Sequence, residues 1–350
     1  MPVRNDYYSA AVHGEFELAE LGDLVLEEGA TLRGAQLAYQ TLGTLSPAKD
    51  NAVLVTSWYS GNHGVMRDTY VGAGRAIDPA EHFVVLVNQL GSGLGSSPHD
   101  QAGPYGRARF PRLRIGDDVV AQERLLREVL GVERLAMVFG GSMGAQQAYE
   151  WAVRFPDRVD RVAALAGTAR AYEHCRIFAQ TLVDALASDP GYAGGWYADS
   201  ADVHGGLRRH AGLFALHVLS NDFWTDEHWR ALGFSSPEDF RTGFLEGYFA
   251  PMDAGDLVCQ ADKWRHGDVS RHTGGDLAAA LGRITARTFV MPISTDLFFP
   301  VVDCAAEQAL IAGSELRVIE DVHGHAALFG LSPDYGPQVD KALTDLLSAS

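Results

Sequence analysis

The pentapeptide Gly140-Gly-Ser-Met-Gly144 constrains this chain most, because it lies between a predicted strand and a predicted helix. The apolar run 135–139 is typical of a strand buried on both faces, and residues 145–154 are helix formers that Pro156 ends. A turn this sharp needs its outer glycines, because side chains there would collide with the neighbouring strand or helix. The sequence therefore predicts that Ser142 lies in a strained conformation at the carboxyl edge of a sheet.

Other apolar runs indicate that this strand belongs to a mostly parallel sheet. Residues 16–21 and 35–41 alternate in part between apolar and polar side chains, as antiparallel edge strands do. Nearly unbroken apolar runs are typical of central parallel strands covered by helices on both faces, and they lie at 52–56, 83–87, 162–166 and 287–291. Residues 315–319 are predicted to add a last strand, and amphipathic helices are predicted at 117–130 and 339–347. The chain is therefore predicted to have an α/β fold.

The stretch from 168 to 275 has a different pattern. It contains helical segments, several tryptophans and many histidines, and no convincing buried strand. We predict that it is a helical cap inserted over the carboxyl edge of a core made by residues 1–167 and 276–350. Such a cap would exclude water and shape a substrate pocket, although most of its aromatic side chains are expected to build its own small core.

Composition excludes several classes of function. With 45 acidic and 28 basic residues the formal charge is −17, which argues against nucleic acid as a partner. The three cysteines have no C-x-x-C spacing, so neither a disulfide framework nor a metal site is predicted. The N-terminus lacks the pattern of a signal peptide, and no stretch approaches the roughly 18 apolar residues of a membrane span. We therefore expect a cytoplasmic protein without a membrane partner.

Two later residues are candidates to activate Ser142. Asp296 follows the predicted strand 287–291 and His325 follows the predicted strand 315–319, so each lies just past the carboxyl end of a strand, as Ser142 does. A hydroxyl is a poor nucleophile, so an imidazole must take its proton and a carboxylate must orient the imidazole. Serine, aspartate and histidine in this chain order are typical of the α/β-hydrolase fold.

Alternatives exist for each of these assignments. The pentapeptide can arise by chance in a chain with 38 glycines, although the flanking strand and helix favour a functional serine. Asp303 competes with Asp296, but it lies at a predicted helix start, where a carboxylate more often interacts with the helix dipole. His323 competes with His325, which we favour because Gly324 would let its loop approach the sheet edge closely.

The loops at this edge are expected to bind the substrate. The amide of Met143 lies at a helix N-terminus, and the loop 57–64 is expected to supply a second oxyanion donor, from Tyr59 or Trp58. The pocket is expected to include Trp58, Ser60 and Leu297. The run Gly91-Ser-Gly93 suggests a dinucleotide fingerprint, but it lacks the third glycine and leads to a proline, so we predict no nucleotide cofactor.

Most of the chain resembles the homoserine O-acetyltransferase group of the α/β-hydrolase superfamily, including its short-chain esterase relatives. The resemblance rests on motifs along the chain: the strand from Asn51, Asn88-Gln-Leu-Gly-Ser, Gly95-Ser-Ser, Gly140-Gly-Ser-Met-Gly144 with Trp151, Asp296-Leu-Phe-Phe-Pro and Gly324-His325. It implies that Ser142 is acylated, that Asp296 and His325 complete a triad below a helical cap, and that the cap forms a homodimer contact.

Two departures from that group bear on the substrate. Members that acetylate homoserine have an aspartate directly after the histidine, where this chain has Ala326. They also have a cap arginine that binds the carboxylate of the amino acid, at a position that aligns near Phe214. Because a bidentate, charge-assisted contact is worth about 2 to 3 kcal/mol, we expect homoserine to bind poorly and Phe214 to line the pocket instead.

Three functions follow from these patterns. The first is a serine esterase that hydrolyses short-chain, acetyl-type esters and needs no cofactor. The second is an O-acetyltransferase that passes an acetyl group from acetyl-CoA, its co-substrate, to an alcohol such as homoserine or a natural-product hydroxyl. The third is a non-catalytic binding protein on a hydrolase scaffold. The esterase is favoured because of the missing arginine.

Overall fold

The computed structural model of the chain describes residues 2–3 and 5–348. Its strands are β1 Glu17–Val25, β2 Thr31–Leu42, β3 Ala52–Thr56, β4 Phe83–Val87, β5 Met137–Gly141, β6 Arg161–Leu165, β7 Arg287–Met291 and β8 Glu315–Leu316. They form one sheet in the order β1-β2-β4-β3-β5-β6-β7-β8. The pairs β1/β2 and β2/β4 are antiparallel, and the pairs from β4 to β8 are parallel. The predicted α/β-hydrolase fold with a mostly parallel sheet is confirmed.

Helices cover the sheet and fill the segment between β6 and β7. The α-helices are α1 Ala10–His13, α2 His63–Tyr70, α3 Ile115–Arg124, α4 Met143–Arg154, α5 Glu173–Ala187, α6 His204–Val218, α7 Asn221–Thr225, α8 Pro237–Phe240, α9 Gly247–Phe249, α10 Ala254–Arg265, α11 Leu277–Leu281, α12 Val301–Gln308 and α13 Tyr335–Leu347. A π-helical turn, Leu125–Val129, extends α3. No helix in the described part of the chain is both long and apolar enough to cross a membrane.

The central strands are buried on both faces, which explains their unbroken apolar runs. Leu54 of β3 belongs to the core on one face of the sheet, and its neighbours Val53 and Val55 belong to the core on the other face. Strands β3, β4 and β7 begin and end where the sequence predicts. Strand β5 lies two residues later than predicted, because two glycines without an apolar side chain still pair with β6.

The helical segment leaves and rejoins the core at a narrow neck. The amide of Ala171 donates to the carbonyl of Gly267 at 2.8 Å, and the amide of Val269 donates to that of Ala169 at 3.2 Å. This neck lies just inside the predicted cap, residues 168–275. We keep the name cap for these residues, and the division into core and cap stays a prediction. Residues 1, 4, 349 and 350 of the predicted core lie outside the described residues.

A buried ion pair joins the cap to the core. Lys263 of α10 lies 2.6 Å from Asp118 of α3, and both side chains are fully buried. Both also bind the backbone of Leu90, which donates its amide to Asp118 at 2.8 Å and accepts from Lys263 at 2.9 Å. Burial raises the pKa of Asp118, and the neighbouring ammonium acts in the opposite direction. The loop after β4 is therefore held between a core helix and a cap helix.

We expect Lys263→Met to lower the free energy of unfolding by about 3 to 5 kcal/mol, because it leaves the Asp118 carboxylate buried without its counter-charge. Urea unfolding followed by tryptophan fluorescence measures the loss. The double variant Asp118→Asn/Lys263→Met removes both charges and should recover a large part of it. An equal loss in the single and double variants would contradict this role of the pair.

Candidate active site

Ser142 lies at the turn between β5 and α4 in a strained backbone conformation. Its φ of 58° and ψ of −123° are rarely adopted by residues other than glycine. The conformation is fixed on both sides, because the Ser142 amide donates to Leu165 O at 2.9 Å and Ser142 O accepts from the Ala145 amide at 2.9 Å. The hydroxyl is thereby held clear of the sheet at its carboxyl edge, as the sequence predicts.

The glycines on either side of Ser142 allow α4 to approach β3. A β-carbon at Gly140 would lie 2.2 Å from Thr56 Oγ1, and one at Gly144 would lie 2.5 Å from Thr56 O. Neither distance is possible for a real side chain, so any substitution would push the helix away from the strand. The close approach brings the start of α4 beside the loop that follows β3.

The three predicted triad side chains meet. Ser142 Oγ lies 2.9 Å from His325 Nε2, and His325 Nδ1 lies 2.7 Å from Asp296 Oδ2. Because a carboxylate only accepts, Nδ1 carries the proton, and Nε2 is free to accept from the serine hydroxyl. All three side chains are buried. The geometry is that of a serine activated by a histidine whose tautomer is fixed by an aspartate.

The alternative acid and base are not part of this row of hydrogen bonds. Asp303 lies in the first turn of α12, and burial raises its pKa. His323 Nδ1 faces Asp321 at 2.7 Å, so this imidazole belongs to a separate pair. Gly324 does permit a close approach, but to the cap instead of the sheet edge. A β-carbon there would lie 2.9 Å from the backbone nitrogen of Ser220, just past the end of α6.

Backbone amides at the start of α4 and in the loop after β3 are available as oxyanion donors. The Met143 amide starts α4, and the Tyr59 amide lies in a turn that the bond from Gly61 N to Trp58 O closes at 3.1 Å. Within the described residues, neither the Met143 nor the Tyr59 amide donates to a protein acceptor. The Trp58 amide is also without an acceptor there, so the predicted loop donor, Tyr59 or Trp58, stays a prediction.

An aromatic cavity lies over Ser142. Its lining residues are Trp58, Tyr59, Ser60, Ser142, Phe214, Val218, Trp264, Phe298, His325, Leu328 and Phe329. Trp58, Ser60 and Phe214 therefore lie where the sequence predicts a pocket. None of the lining residues in the described chain is an acid, a lysine or an arginine. The cavity thus suits an uncharged, largely apolar ligand.

The prediction for Leu297 is wrong, because this side chain is 40% exposed and its neighbour Phe298 lines the cavity. Asp296 Oδ1 accepts from the amides of Phe298 at 2.7 Å and Phe299 at 3.2 Å. This turn directs Leu297 outward. The sequence analysis also did not identify four other residues that line the cavity: Val218, Trp264, Leu328 and Phe329. For Phe298 a signal was present, because it belongs to the motif Asp-Leu-Phe-Phe-Pro.

The cap wall behind the cavity is uncharged. Tyr59 Oη donates to Leu257 O at 3.1 Å and lies 3.0 Å from His210 Nε2, which therefore donates to it. Burial lowers the pKa of His210 to about 3, so the imidazole is neutral. The Phe214 ring lies against both Tyr59 and His210.

Two clusters elsewhere have side chains of the types that bind metal ions, namely Glu27, Glu150 and His272, and His99, Asp253 and Asp256. In each cluster an imidazole nitrogen lies 2.6 Å from a carboxylate oxygen, so the groups are already paired with one another. Neither cluster lines the cavity over Ser142. We therefore assign no metal to the chemistry of this site.

Comparison with known proteins adds a family to this geometry. A profile of the family described as alpha/beta hydrolase fold matches residues 59–238. The chain is 53% identical over 346 residues to a probable esterase of Corynebacterium glutamicum, with 99% of each chain covered. It is 50% identical over 345 residues to an ethyl acetate hydrolase of Pseudomonas veronii, again with 99% of each covered.

More distant similarity extends to acyltransferases. The chain is 35% identical over 350 residues to a homoserine O-acetyltransferase of Thermobifida fusca, with 89% of each chain covered.

Among solved structures, an acetylester hydrolase from Corynebacterium glutamicum matches with a TM-score of 0.98 at 52% identity, over 99% of this chain and 100% of that one.

We expect Ser142→Ala to lower kcat for p-nitrophenyl acetate by about 10⁴-fold or more, because the other serine that lines the cavity, Ser60, hydrogen-bonds to Tyr248 instead of His325. Steady-state release of p-nitrophenol measures the loss. The melting temperature should stay within a few degrees of the wild type, since the variant keeps every backbone hydrogen bond of the turn. Turnover at the wild-type rate would remove Ser142 from the mechanism.

Proposed function

Because the chain belongs to the alpha/beta hydrolase fold family, within the group that joins short-chain esterases to homoserine O-acetyltransferases, we propose that it hydrolyses short-chain acetyl esters through an acyl-Ser142 intermediate. The proteins to which the chain is similar confirm the resemblance that its motifs indicate. The observation that carries the proposal is the hydrogen-bonded row of Ser142, His325 and Asp296 at the base of an uncharged aromatic cavity.

In the acylation half, His325 Nε2 takes the proton from Ser142 Oγ as that oxygen attacks the ester carbonyl carbon. The carbonyl oxygen becomes an oxyanion, which the amides of Met143 and Tyr59 stabilise. The bond to the alcohol oxygen then breaks, and the imidazolium gives its proton to the departing alcohol. Asp296 remains ionised and stabilises the imidazolium throughout. Ser142 is left as an acetyl ester.

In the deacylation half, water takes the place of the alcohol. His325 accepts a proton from the water as its oxygen attacks the acetyl carbon, and the same two amides stabilise the second oxyanion. The bond to Ser142 Oγ breaks, and the imidazolium returns its proton to that oxygen. The products are acetate and the free enzyme, so the cycle needs no cofactor.

The cavity supports an uncharged substrate over an amino acid. Phe214 packs among Tyr59, Phe249 and Phe298, with ring centroids 6.2, 5.0 and 5.4 Å away. An acceptor carboxylate in this cavity would lose its hydration without gaining a cation. The runner-up function, acetyl transfer from acetyl-CoA to an alcohol, therefore applies to a neutral acceptor instead of homoserine. An assembled triad argues against a purely binding role.

The proposal extends to the partner and the compartment. Ile177 of α5 and Leu216 of α6 are 66% and 65% exposed. Their helices are in contact, because the next residues along each helix, Phe178 and His217, have ring centroids 4.5 Å apart. Exposed apolar side chains on neighbouring helices support a second copy of the chain as the partner. Three unpaired cysteines support the cytoplasm as its compartment.

The function is tested by following acetate. We expect the enzyme to free acetate from ethyl acetate when no acceptor other than water is present, and to form no O-acetylhomoserine from acetyl-CoA and homoserine. Enzymatic assay of acetate and mass spectrometry of the acceptor measure the two reactions. Acetylated product formed only from the thioester, with no hydrolysis of esters, would favour the transferase.

Phe214→Arg is the informative variant for this comparison, because it places a guanidinium beside Tyr59. It should lower kcat/KM for ethyl acetate through the cost of a buried charge. Homoserine should then compete with ethyl acetate in the variant and have no effect on the wild type. Absence of any competition by homoserine in the variant would contradict the alignment of Phe214 with the arginine of the transferases.

A dimer formed through α5 and α6 is tested by placing a charged side chain in the proposed contact. We expect the wild type to sediment as a dimer and Leu216→Asp to sediment as a monomer, because a buried aspartate at a two-fold contact would face its own copy. Val302→Asp is the control, since Val302 is 71% exposed on another helix, α12. If the wild type sedimented as a monomer, the proposed dimer would be contradicted.

A further inference from the structure

A buried glutamine beside the site has no part in the mechanism so far. Gln89 lies two residues past the end of β4 and is fully buried. Its side-chain nitrogen Nε2 donates to Ser57 O at 3.0 Å and to Trp58 O at 2.9 Å. Since both neighbours are carbonyl oxygens, they decide which atom of the amide is the nitrogen. The side chain thus binds the backbone of the oxyanion loop.

The two carbonyls belong to the peptide units that supply the candidate donors. A peptide unit is planar, so fixing its carbonyl also fixes the direction of its N–H. Trp58 O shares a plane with the Tyr59 amide, and Ser57 O shares a plane with the Trp58 amide. Gln89 therefore aims the oxyanion donor whether that donor is Tyr59 or Trp58. A hydrogen bond to the carbonyl also polarises the N–H of the same unit.

A second glutamine binds the same loop from the other side. Gln147 Nε2 lies 3.1 Å from Ser57 O and 3.3 Å from Met143 O. It is held in turn by Gln122, which donates to Gln147 Oε1 at 2.6 Å and accepts from Trp151 Nε1 at 2.8 Å. Gln147 links the loop after β3 to the helix that carries the Met143 amide.

One end of the Gln89 amide is paired and the other is not. Its oxygen Oε1 is buried and has no hydrogen-bond partner among the described residues. A buried polar atom without a partner costs free energy that an apolar side chain of the same shape would avoid. Both hydrogen bonds that the amide makes are to carbonyls of the oxyanion loop, which distinguishes Gln89 from other buried glutamines with an unpaired oxygen.

The residue after Gln89 is held in place by the cap. Leu90 is bound at both its amide and its carbonyl by the buried pair of Asp118 and Lys263. Gln260, also on α10, donates to the same carbonyl at 2.9 Å. The backbone from which the Gln89 side chain extends is therefore fixed on the side away from the oxyanion loop.

We propose that Gln89 is a positioning residue of the oxyanion hole, which holds the Ser57–Trp58 and Trp58–Tyr59 peptide units so that an amide faces the developing oxyanion. It touches no substrate, and it acts on the transition state through the backbone of the loop. The inference rests on the proposed acyl-Ser142 chemistry, and it adds a residue that the triad and the amides do not include.

The test is Gln89→Met, which keeps the length of the side chain and removes its donor. We expect kcat for p-nitrophenyl acetate to fall about 10- to 100-fold, a large part of what one oxyanion donor contributes. KM should stay within about twofold, because the ground-state ester does not need the donor. The first-order rate constant for labelling of Ser142 by excess fluorophosphonate should fall by a similar factor, and it does not depend on the folded fraction.

Gln260→Met is the matched control. Gln260 is also buried, it also donates to a backbone carbonyl, and its Oε1 also has no partner in the described chain. It does not touch the oxyanion loop, and Lys263 still binds the Leu90 carbonyl that Gln260 binds. Its variant should therefore keep kcat and the labelling rate within about twofold of the wild type. Gln147→Met should lie between the two, because Gln89 still binds Ser57 O.

The outcomes separate this inference from the proposed function. Equal labelling rates in Gln89→Met and the wild type would overturn the positioning role, as would equal losses in Gln89→Met and Gln260→Met. If the wild type hydrolysed no acetate ester, the proposed substrate class would fail, but fluorophosphonate labelling would still test Gln89. Should Gln89→Met yield no folded protein, Gln89→Glu supplies the test, because a protonated carboxyl group returns only one of the two hydrogen bonds. Its labelling rate should lie below that of the wild type, and a wild-type rate would overturn the positioning role.

Discussion

The contact between α4 and β3 is the constraint on which the site depends. Thr56 Oγ1 donates to Gly144 O at 2.9 Å, and the missing side chains at Gly140 and Gly144 let the two elements approach this closely. Because β4, β3 and β5 are adjacent parallel strands, the residues just past their ends meet at one point. Gln89, Trp58 and Ser142 are these residues. The sheet order thus places a nucleophile, an oxyanion loop and the side chain that holds the loop side by side.

The cap contributes more than a cover. It provides Phe214 and Trp264 to the cavity wall, and its residues 218–220 lie against the loop that carries His325, where Gly324 permits the approach. Through Lys263 it also fixes the backbone next to Gln89. A displacement of the cap would therefore disturb the base and the oxyanion loop together. Neither Lys263 nor its partner Asp118 lines the cavity, whose lining contains no acid, lysine or arginine.

The sequence predicts well which elements carry the triad, because Ser142, Asp296 and His325 each follow an apolar run by three to six residues, a pattern that is local in the sequence. Strand β5 is displaced because Gly140 and Gly141 give no apolar signal. Leu297 could not be separated from Phe298, since the turn that decides between them depends on which amides the Asp296 side chain binds. The role of Gln89 could not be predicted either, because its partners lie about thirty residues earlier and meet it only through the sheet order.

Hydrolysis and transfer start from the same acyl-enzyme, so the difference between them lies in what reaches the acetyl carbon next. Water needs no binding site, and it reacts wherever His325 can take its proton. An alcohol acceptor must displace water, and an amino-acid acceptor also needs a cation for its carboxylate. In this chain an aromatic ring, Phe214, lies where the resemblance puts that cation, and the cavity wall behind it is neutral. Hydrolysis is therefore favoured in this chain, because the cavity offers no cation to an amino-acid acceptor.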